Sequence, residues 1–530
     1  MSDTAARKLE LVSIFLKKAS SNLVKPSIDQ NGGGVHVLSE RQLKRGEEVL
    51  SCNAAAIALD PSHRHLCAYC ARPCKHSTDE SRCKQCFLVS ICEGCKAKGS
   101  KKWHLESGEC KALYSLVCAS HKMPKNANGK RQLINLEMAN GVDSSYVLTI
   151  RLMLRRWSEK NVPSPFPSVE WSLLDELYRA QLGTPDESQY YDAAMNELCR
   201  LMRESFCLKD EDQLEPIDGS WINKKDLNDT MEKVVGCGHA VTDVTASLGC
   251  QCIGRALFLE HSFYNHCCTP NSFLSCRIGD PDTNTEEHQC ALNARLHCIQ
   301  DIDEGGNVTI SYIPTSGLSC DERKQRLEQS YDFICNCEAC GMRNPSSKKM
   351  DQSVRLPENC DVECIRQMQF SCNQQLLEIE RAGDVNNLQL NELESCISTI
   401  KMNKRGIRNQ GIPVSHEVSI ESHRLLAKAL SLSDKVEAAL KEYASFKDAV
   451  QPILELFDPV ALATSLINFG IDLQRAGKDE ECESVLANAL EYAKLALGDE
   501  HKLVLGVQKM ISETTERPTK RQKAENESMA

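Results

Sequence analysis

Closely spaced cysteines are the residues of this chain best suited to chemistry. Cysteine accounts for 29 of the 530 residues. Two thiolates separated by two residues can face one Zn²⁺ ion at about 2.3 Å, and four such ligands close a structural site. In a secreted chain these cysteines would instead indicate disulfides. The amino terminus lacks the uninterrupted apolar centre of a secretory signal, so we expect no export and favour zinc in a reducing compartment.

The first cysteine block spans residues 67 to 110 and offers enough ligands for two tetrahedral sites. Three Cys-x-x-Cys pairs are followed by one histidine and one cysteine. The predicted ligands are Cys67, Cys70, Cys83, Cys86, Cys92, Cys95, His104 and Cys110. A second block, Cys335, Cys337 and Cys340, supplies three ligands, so a closed site there needs a fourth from a distant part of the chain.

Several motifs outside the first block resemble those of SET-domain methyltransferases. Residues 265 to 271 read Asn-His-Cys-Cys-Thr-Pro-Asn and resemble the NHSCxPN motif, whose cysteine completes a post-SET zinc site, so Cys268 is the candidate fourth ligand. Residues 254 to 258 resemble GxGLY, and residues 302 to 312 resemble DIxxGEELTIxY. The first block resembles a MYND finger, in which the first and third pairs share one ion. Together they resemble the SMYD family, in which a MYND finger interrupts a SET domain.

This resemblance implies a multidomain α+β fold. The expected units are the amino-terminal part of the SET domain (1–60), the MYND finger (61–111), a helical insert (112–235), the core SET domain (236–314), the post-SET zinc region (315–345), a helical TPR-like domain (350–512) and a disordered tail (513–530). Hydrophobic periodicity predicts helices at 146–157 and 192–206. Leu466, Gly470 and Leu486 have the spacing of a tetratricopeptide unit, and a generic helix pair remains the alternative.

The activity that the resemblance implies is protein-lysine methylation with S-adenosyl-L-methionine, on a histone or another protein. The lysine amine must be neutral to accept a methyl group, although its free pKa is near 10.4, so the site must favour deprotonation. Tyr312 is the implied catalytic residue. The implied cofactor-binding residues are Gly32, Gly33, Gly34, Asn265, His266, Tyr312 and Phe333. The implied substrate channel consists of Phe258, Tyr312, Tyr331 and Phe333.

One departure from the family leaves the level of activity open. Gly306 and Asn307 stand where the family has paired glutamates. The alternative function is therefore a catalytically weak adaptor that binds partner proteins through the zinc finger and the helical repeat.

Charge limits the partners that we expect. A net charge of −11 argues against a chain that wraps nucleic acid along its length and suits a lysine-rich protein. Five lysines of the finger are compatible with DNA or with a solvated loop: Lys84, Lys96, Lys98, Lys101 and Lys102. The MYND resemblance also implies a proline-rich peptide. Charges interrupt every long apolar stretch, so we expect no membrane-spanning segment. We also expect a monomer that is present in the cytoplasm and the nucleus. The basic residues 517 to 523 are compatible with a nuclear import signal and equally with a charged tail.

Overall fold

A computed structural model describes residues 3–28, 35–60, 63, 65–74, 81–122, 134–180, 188–206, 218–243, 251–278, 289–341, 345–358, 360–382 and 387–529. The predicted α+β class is confirmed: short sheets occupy the first part of the chain and helices fill the last part. Within the described residues, no helix is both long enough and apolar enough to cross a bilayer.

The sheets join segments that lie far apart in sequence. The strands are β1 (Val24–Ile28), β2 (Val35–Ser39), β3 (Glu48–Asn53), β4 (Ala56–Leu59), β5 (His239–Asp243), β6 (Gln251–Leu257), β7 (Asn265–His266), β8 (Ser272–Cys276), β9 (Asn293–Cys298) and β10 (Thr309–Ile310). β3 pairs with β9 in the sheet β3-β9-β8, and β4 pairs with β6 in the sheet β4-β6-β5; both pairings are antiparallel. β1 pairs with β2, and β7 runs parallel to β10. The residues before 60 thus complete sheets formed by residues after 239.

Local sequence explains these strands. In β2, Val35, Val37 and Ser39 point into the core while the residues between them are partly exposed, which is the period of two expected of a strand. Gly254 in β6 allows close approach to β4, because a Cβ atom there would lie 2.2 Å from the carbonyl oxygen of Ala58.

Helices surround the zinc finger and fill the insert. They are α1 (Asp3–Ala19), α2 (Glu93–Ala97), α3 (Ser100–Glu106), α4 (Glu109–Ser120), α5 (Leu136–Asn140), α6 (Ser144–Ser158), α7 (Trp171–Asp175), α8 (Ser188–Phe206) and α9 (Lys224–Cys237). α6 and α8 contain the helices predicted at 146–157 and 192–206. α6 packs against β4, β6, α4 and α9, so the insert shares one hydrophobic core with the sheets.

The carboxyl-terminal half is helical. Its helices are α10 (Cys320–Tyr331), α11 (Glu338–Gly341), α12 (Pro345–Val354), α13 (Glu363–Ala382), α14 (Asn387–Asn409), α15 (Glu417–Leu432), α16 (Val436–Phe457), α17 (Pro459–Arg475), α18 (Asp479–Leu497) and α19 (Lys502–Met529). α17 packs closely on α18, since a Cβ atom at Gly470 would lie 2.5 Å from a methyl carbon of Leu486. These helices dock on the β8–β9 sheet through a shared apolar cluster that includes Ile299 and Val460.

The predicted disordered tail overlaps the last helix. Most of the segment 513–530, predicted as disordered, continues α19 as a helix. Val504 and Val507 anchor the start of this helix in the core. The Glu, Lys, Arg, Gln and Ala residues that follow favour a helix and Pro518 opposes one, so the packing of the first turns is what nucleates this helix.

Candidate zinc clusters and active-site cleft

The finger brings its eight predicted ligands together as two groups of four. Cys67, Cys70, Cys92 and Cys95 form one group, and Cys83, Cys86, His104 and Cys110 form the other. In each group the ligand atoms lie within 4.8 Å of one another. Tetrahedral thiolates at 2.3 Å from zinc would be about 3.8 Å apart. The Sγ atoms of Cys70 and Cys92 are 3.6 Å apart, and those of Cys83 and Cys110 are 3.7 Å apart, so both groups fit zinc.

A buried carboxylate outside the motif supports the second group. Glu109 accepts hydrogen bonds from the Tyr69 hydroxyl at 2.6 Å, from His104 Nδ1 at 2.5 Å and from Arg151 Nε at 2.9 Å. His104 therefore keeps Nε2, which lies 3.7 Å from Cys86 Sγ, for the metal. Burial alone would raise the pKa of Glu109, but the Arg151 charge and the His104 hydrogen bond hold this pKa below its usual value.

Arg151 extends this support into the SET sheets. Its guanidinium, on α6, donates to the carbonyl oxygen of Ala68 at 3.0 Å and to that of Ile57 in β4. One buried network therefore joins the finger, the insert and a strand. The spacing of the motif does not identify Glu109, and its place directly before Cys110 is the available sequence signal.

The third group joins two distant segments. Cys268 lies with Cys335, Cys337 and Cys340, all four sulfur atoms being within 4.8 Å of one another. Cys268 Sγ is 3.3 Å from Cys340 Sγ and 3.9 Å from Cys335 Sγ. The three Cys/His groups of the described residues thus fit three closed structural zinc sites.

His266 connects this third group to the candidate active site. Its Nδ1 accepts the backbone N–H of Tyr312 at 3.0 Å, and its Nε2 lies 3.3 Å from Cys268 Sγ. Burial lowers the pKa of His266 to about 4, so the ring is neutral at pH 7. With Nδ1 as acceptor, Nε2 carries the ring proton and donates a hydrogen bond to the sulfur of Cys268. Cys268 and Tyr312 are therefore held by the two nitrogens of one ring.

Tyr312 lies at the centre of an aromatic group. Its hydroxyl donates to the carbonyl oxygen of Tyr264 at 2.7 Å, and its own carbonyl accepts from the Tyr331 hydroxyl at 3.1 Å. The Tyr312 ring centroid is 5.1 Å from that of Tyr331 and 6.3 Å from that of Phe333. Burial raises the pKa of Tyr312, so its hydroxyl remains a protonated donor at neutral pH.

A cavity of about 480 Å³ opens on one side of this group, between the sheets and the carboxyl-terminal helices. Tyr312 and Tyr331 line it together with Tyr264, and Phe457 and Asp458 close it from the helical domain. Asn265, His266 and Phe333 do not line this cavity; the rings of His266 and Phe333 lie 6.0 Å apart.

Asn265 ties the motif to the strand that follows the glycine segment. Its amide nitrogen donates to the carbonyl oxygen of Val35 at 2.9 Å and lies 3.2 Å from His36 Nδ1. The predicted glycines Gly32, Gly33 and Gly34 themselves lie outside the described residues.

Phe258 does not reach the cavity. Its side chain is fully buried, with its ring centroid 6.2 Å from that of His239, and it is not among the lining residues. The structure therefore does not support its predicted place in a substrate channel. The strand β6 ends at Leu257, and the turn that follows directs Phe258 into the core.

A histidine pair that no sequence motif marks lies in the cavity wall. His261 Nδ1 and His239 Nε2 are 2.7 Å apart, and the His261 ring stacks on that of Tyr264 at 5.5 Å. Burial lowers the pKa of His239 to about 4 and that of His261 well below its usual value, so both rings are neutral. His261 stands four residues before Asn265, which is the signal that could have found it.

The altered segment at Gly306 and Asn307 pairs through its backbone with β2 and with the Asn271 side chain. Gly306 accepts the N–H of Ser39 at 3.0 Å, and the carbonyl of Asn307 accepts the Asn271 side chain at 2.8 Å. A Cβ atom at Gly306 would lie 2.9 Å from the carbonyl oxygen of Asp303. Glycine is therefore the residue that fits this turn.

Comparisons with known proteins give full-length and partial relatives. The chain is 24% identical to "Histone-lysine N-methyltransferase SMYD1" of Homo sapiens over 53% of this chain and 55% of that protein. It is 26% identical to "Histone-lysine N-methyltransferase ASHR1" of Arabidopsis thaliana over 50% of this chain and 47% of that protein. These matches span about half the length of each relative. With "N-lysine methyltransferase SMYD2-A" of Danio rerio the identity is 21% over 91% of this chain and 97% of that protein.

Two other comparisons add little. No protein-family model matches the chain. A solved structure of the SET domain of LSMT, bound to lysine and AdoHcy, is 10% identical over 89% of this chain and 92% of that chain with a TM-score of 0.30. A likeness this weak carries no argument about this chain.

The short sheets completed by distant segments and the three Cys/His groups agree with the resemblance to a SET domain interrupted by a MYND finger. Together with the relatives named above, these features make the chain similar to the SMYD lysine methyltransferases.

Proposed function

We propose that this protein is a lysine N-methyltransferase that uses S-adenosyl-L-methionine and acts on a lysine side chain of a protein, histone or otherwise. The observation that carries the proposal is the position of Tyr312. Its hydroxyl, held by the hydrogen bond that it donates to Tyr264, is a fixed polar group at the wall of a cavity of about 480 Å³, which has room for a lysine side chain. The names of the relatives support the reaction class.

The side chains around Tyr312 suit a neutral amine. The tyrosine rings at 312 and 331 replace bulk water along the cavity wall, and desolvation disfavours an ammonium group. The buried carbonyl oxygen of Tyr264 and the hydroxyl of Tyr312 are fixed polar groups that can orient the amine nitrogen. The zinc group behind His266 holds the backbone of Tyr312 in place, so the reacting geometry depends on a structural metal site.

The residues on the other side of Tyr312 fit the cofactor. S-adenosyl-L-methionine, when bound, supplies a methyl group on a positively charged sulfur. Asn265, His266, Phe333 and the glycines at 32 to 34 would hold it. Both contacts of the Asn265 side chain use its amide nitrogen, so among the described residues its amide oxygen remains an acceptor for an ammonium group. The ring of Phe333 offers an apolar surface beside His266.

A methyl-transfer assay tests the proposal. The purified protein would be incubated with labelled S-adenosyl-L-methionine and an array of lysine-containing proteins. Tyr312→Phe removes one fixed polar group from the reacting centre, and we expect kcat to fall by about 10²- to 10³-fold. Zinc content should not change. Tyr492→Phe is the matched control, because the Tyr492 hydroxyl bonds to Glu455 on an exposed surface.

Two results would contradict the proposal. One is wild-type kcat in Tyr312→Phe. The other is a wild-type protein that neither binds the cofactor nor methylates any protein on the array, in which case the adaptor function would take its place.

The further partners stay predictions. For DNA, part of the basic charge of the finger is already neutralised: Lys96 pairs with Glu93 at 2.7 Å and Lys102 with Glu106 at 3.7 Å. These pairs favour the solvated-loop interpretation. The proline-rich peptide, the monomeric state and the distribution between cytoplasm and nucleus also stay predictions.

A further inference from the structure

The cavity beside Tyr312 contains a carboxylate that belongs to the helical domain. Asp458 lies at the junction of α16 and α17 and lines the cavity next to Phe457. Among the other described lining residues, Arg255 carries the permanent positive charge, and the pair His239 and His261 is neutral. Among the described lining residues, Asp458 thus provides the carboxylate of this cavity, and the same cavity is lined by the candidate reacting residue Tyr312.

This carboxylate has no cationic partner within the described part of the chain. Its Oδ1 accepts the backbone N–H of Ala461 at 2.9 Å, as the N-cap of α17. No Lys, Arg or His nitrogen of the described residues lies within 4.0 Å of it. The positive charge of Arg424 lowers the pKa of Asp458 by long-range attraction, but Arg424 itself forms an ion pair with Glu421 at 2.7 Å. Burial raises the pKa of Asp458, and the N-cap hydrogen bonds and Arg424 offset that effect only in part.

The N-cap role does not require a charge. Asparagine caps helices about as well as aspartate does, so a neutral side chain would satisfy α17 equally. A partly buried carboxylate without a cation is unfavourable, and a bound positive charge would compensate it. Arg255, the permanent cation of the same cavity, is held by a hydrogen bond to the Ser145 hydroxyl at 2.9 Å and is not the partner of Asp458.

We propose that Asp458 is a specificity-determining residue that binds a Lys or Arg side chain close to the target lysine of the substrate. This proposal rests on the proposed methyltransferase function and names a substrate class for it, namely lysines with a basic neighbour. The net charge of −11 acts in the same direction, because it attracts basic segments over long distances. The helical domain thereby contributes to substrate choice.

A peptide library tests this role. Each peptide carries one central lysine, and each flanking position is in turn Arg, Ala or Glu. We expect the wild-type protein to prefer Arg at one or two positions. Asp458→Asn keeps the N-cap and should raise KM for those peptides about tenfold, leaving kcat nearly unchanged, because a charge-assisted hydrogen bond is lost. The KM for the Ala peptides should be the same in both proteins.

Two further variants separate charge from folding. Asp361→Asn is the matched control, since Asp361 accepts the N–H of Glu363 at 2.9 Å on an exposed helix end outside the cavity. It should leave every KM unchanged. Asp458→Glu should retain the preference for Arg in part. A thermal melt of each variant checks that α17 is intact.

The outcomes are distinguishable. Equal Arg-to-Ala ratios of KM in the wild-type protein and in Asp458→Asn would overturn the role of Asp458 while the methyltransferase function stands. A wild-type protein that methylates no peptide of the library or protein of the array, and does not bind S-adenosyl-L-methionine, would overturn the proposed function itself.

Discussion

Replacing Glu109 by Gln tests whether the buried network beneath the finger stabilises both the zinc site and the SET sheets. The variant keeps the size of the side chain and removes its charge. Arg151, whose side chain is 4% exposed, would then be a buried cation without its carboxylate. Breaking a buried pair in this way costs about 3 to 5 kcal/mol. A neutral amide accepts the His104 hydrogen bond more weakly than a carboxylate does, which should also weaken zinc binding by about 10- to 100-fold.

Two measurements follow these effects separately. Urea denaturation in zinc-containing buffer gives the free energy of unfolding, and competition with a chromogenic chelator gives zinc affinity. Glu106→Gln is the control: this exposed glutamate pairs with Lys102 at 3.7 Å, and its loss should change stability by less than about 0.5 kcal/mol.

A double variant sharpens the result. Glu109→Gln combined with Arg151→Met removes both charges, so it should be less destabilised than the sum of the single variants. Wild-type stability and wild-type zinc release in Glu109→Gln would refute the reasoning, since the network would then contribute nothing measurable.

Three further predictions concern the rest of the molecule. Gly470→Val should cost about 1 to 3 kcal/mol in urea denaturation, because the new Cβ meets Leu486 at 2.5 Å. Cys268→Ser should lower the zinc content, measured by mass spectrometry, from three ions to two. It should also reduce the rate of methyl transfer, because His266 then loses the contact that helps it to hold the backbone of Tyr312. The ionised side chain of Glu322, which is 17% exposed, should contribute roughly 3 kcal/mol to the free energy of unfolding above pH 4.5. Burial would raise its pKa, but hydrogen bonds from His416 and others lower it from 4.5 to about 2. The advantage of the wild-type protein over Glu322→Gln should therefore disappear as the pH falls from 4.5 to 2, in denaturation curves recorded across that range.

Local patterns predicted the parts of the fold that depend on short-range geometry. The Cys-x-x-Cys turns fix two ligands each by chain connectivity, and the helix at 146–157 follows from its own apolar stripe. The tail shows the limit of this reasoning. Composition favoured disorder, yet the anchoring of Val504 in the core nucleates a helix that the polar residues can continue.

Contacts between distant segments were less predictable. Phe258 matches the aromatic position of a motif, but its direction depends on the turn after β6, and it points into the core. Glu109 and His261 carry no motif, because a supporting side chain is selected by its three-dimensional neighbours. Asp458 has an ordinary capping position in sequence, and the docking of two domains is what places it at the cavity.

The sequence by itself indicated the number and type of the metal ligands and the order of the segments, and its resemblance to the SMYD family pointed to Tyr312 as the candidate reacting residue. These properties lie in residue type and spacing, which folding does not change. The tertiary structure decided which carboxylate supports the zinc finger, which ring connects zinc to Tyr312, and which charge faces the cavity. Those choices depend on the pairing of strands and the docking of helices far apart in the chain, where burial and charge compensation select the partners.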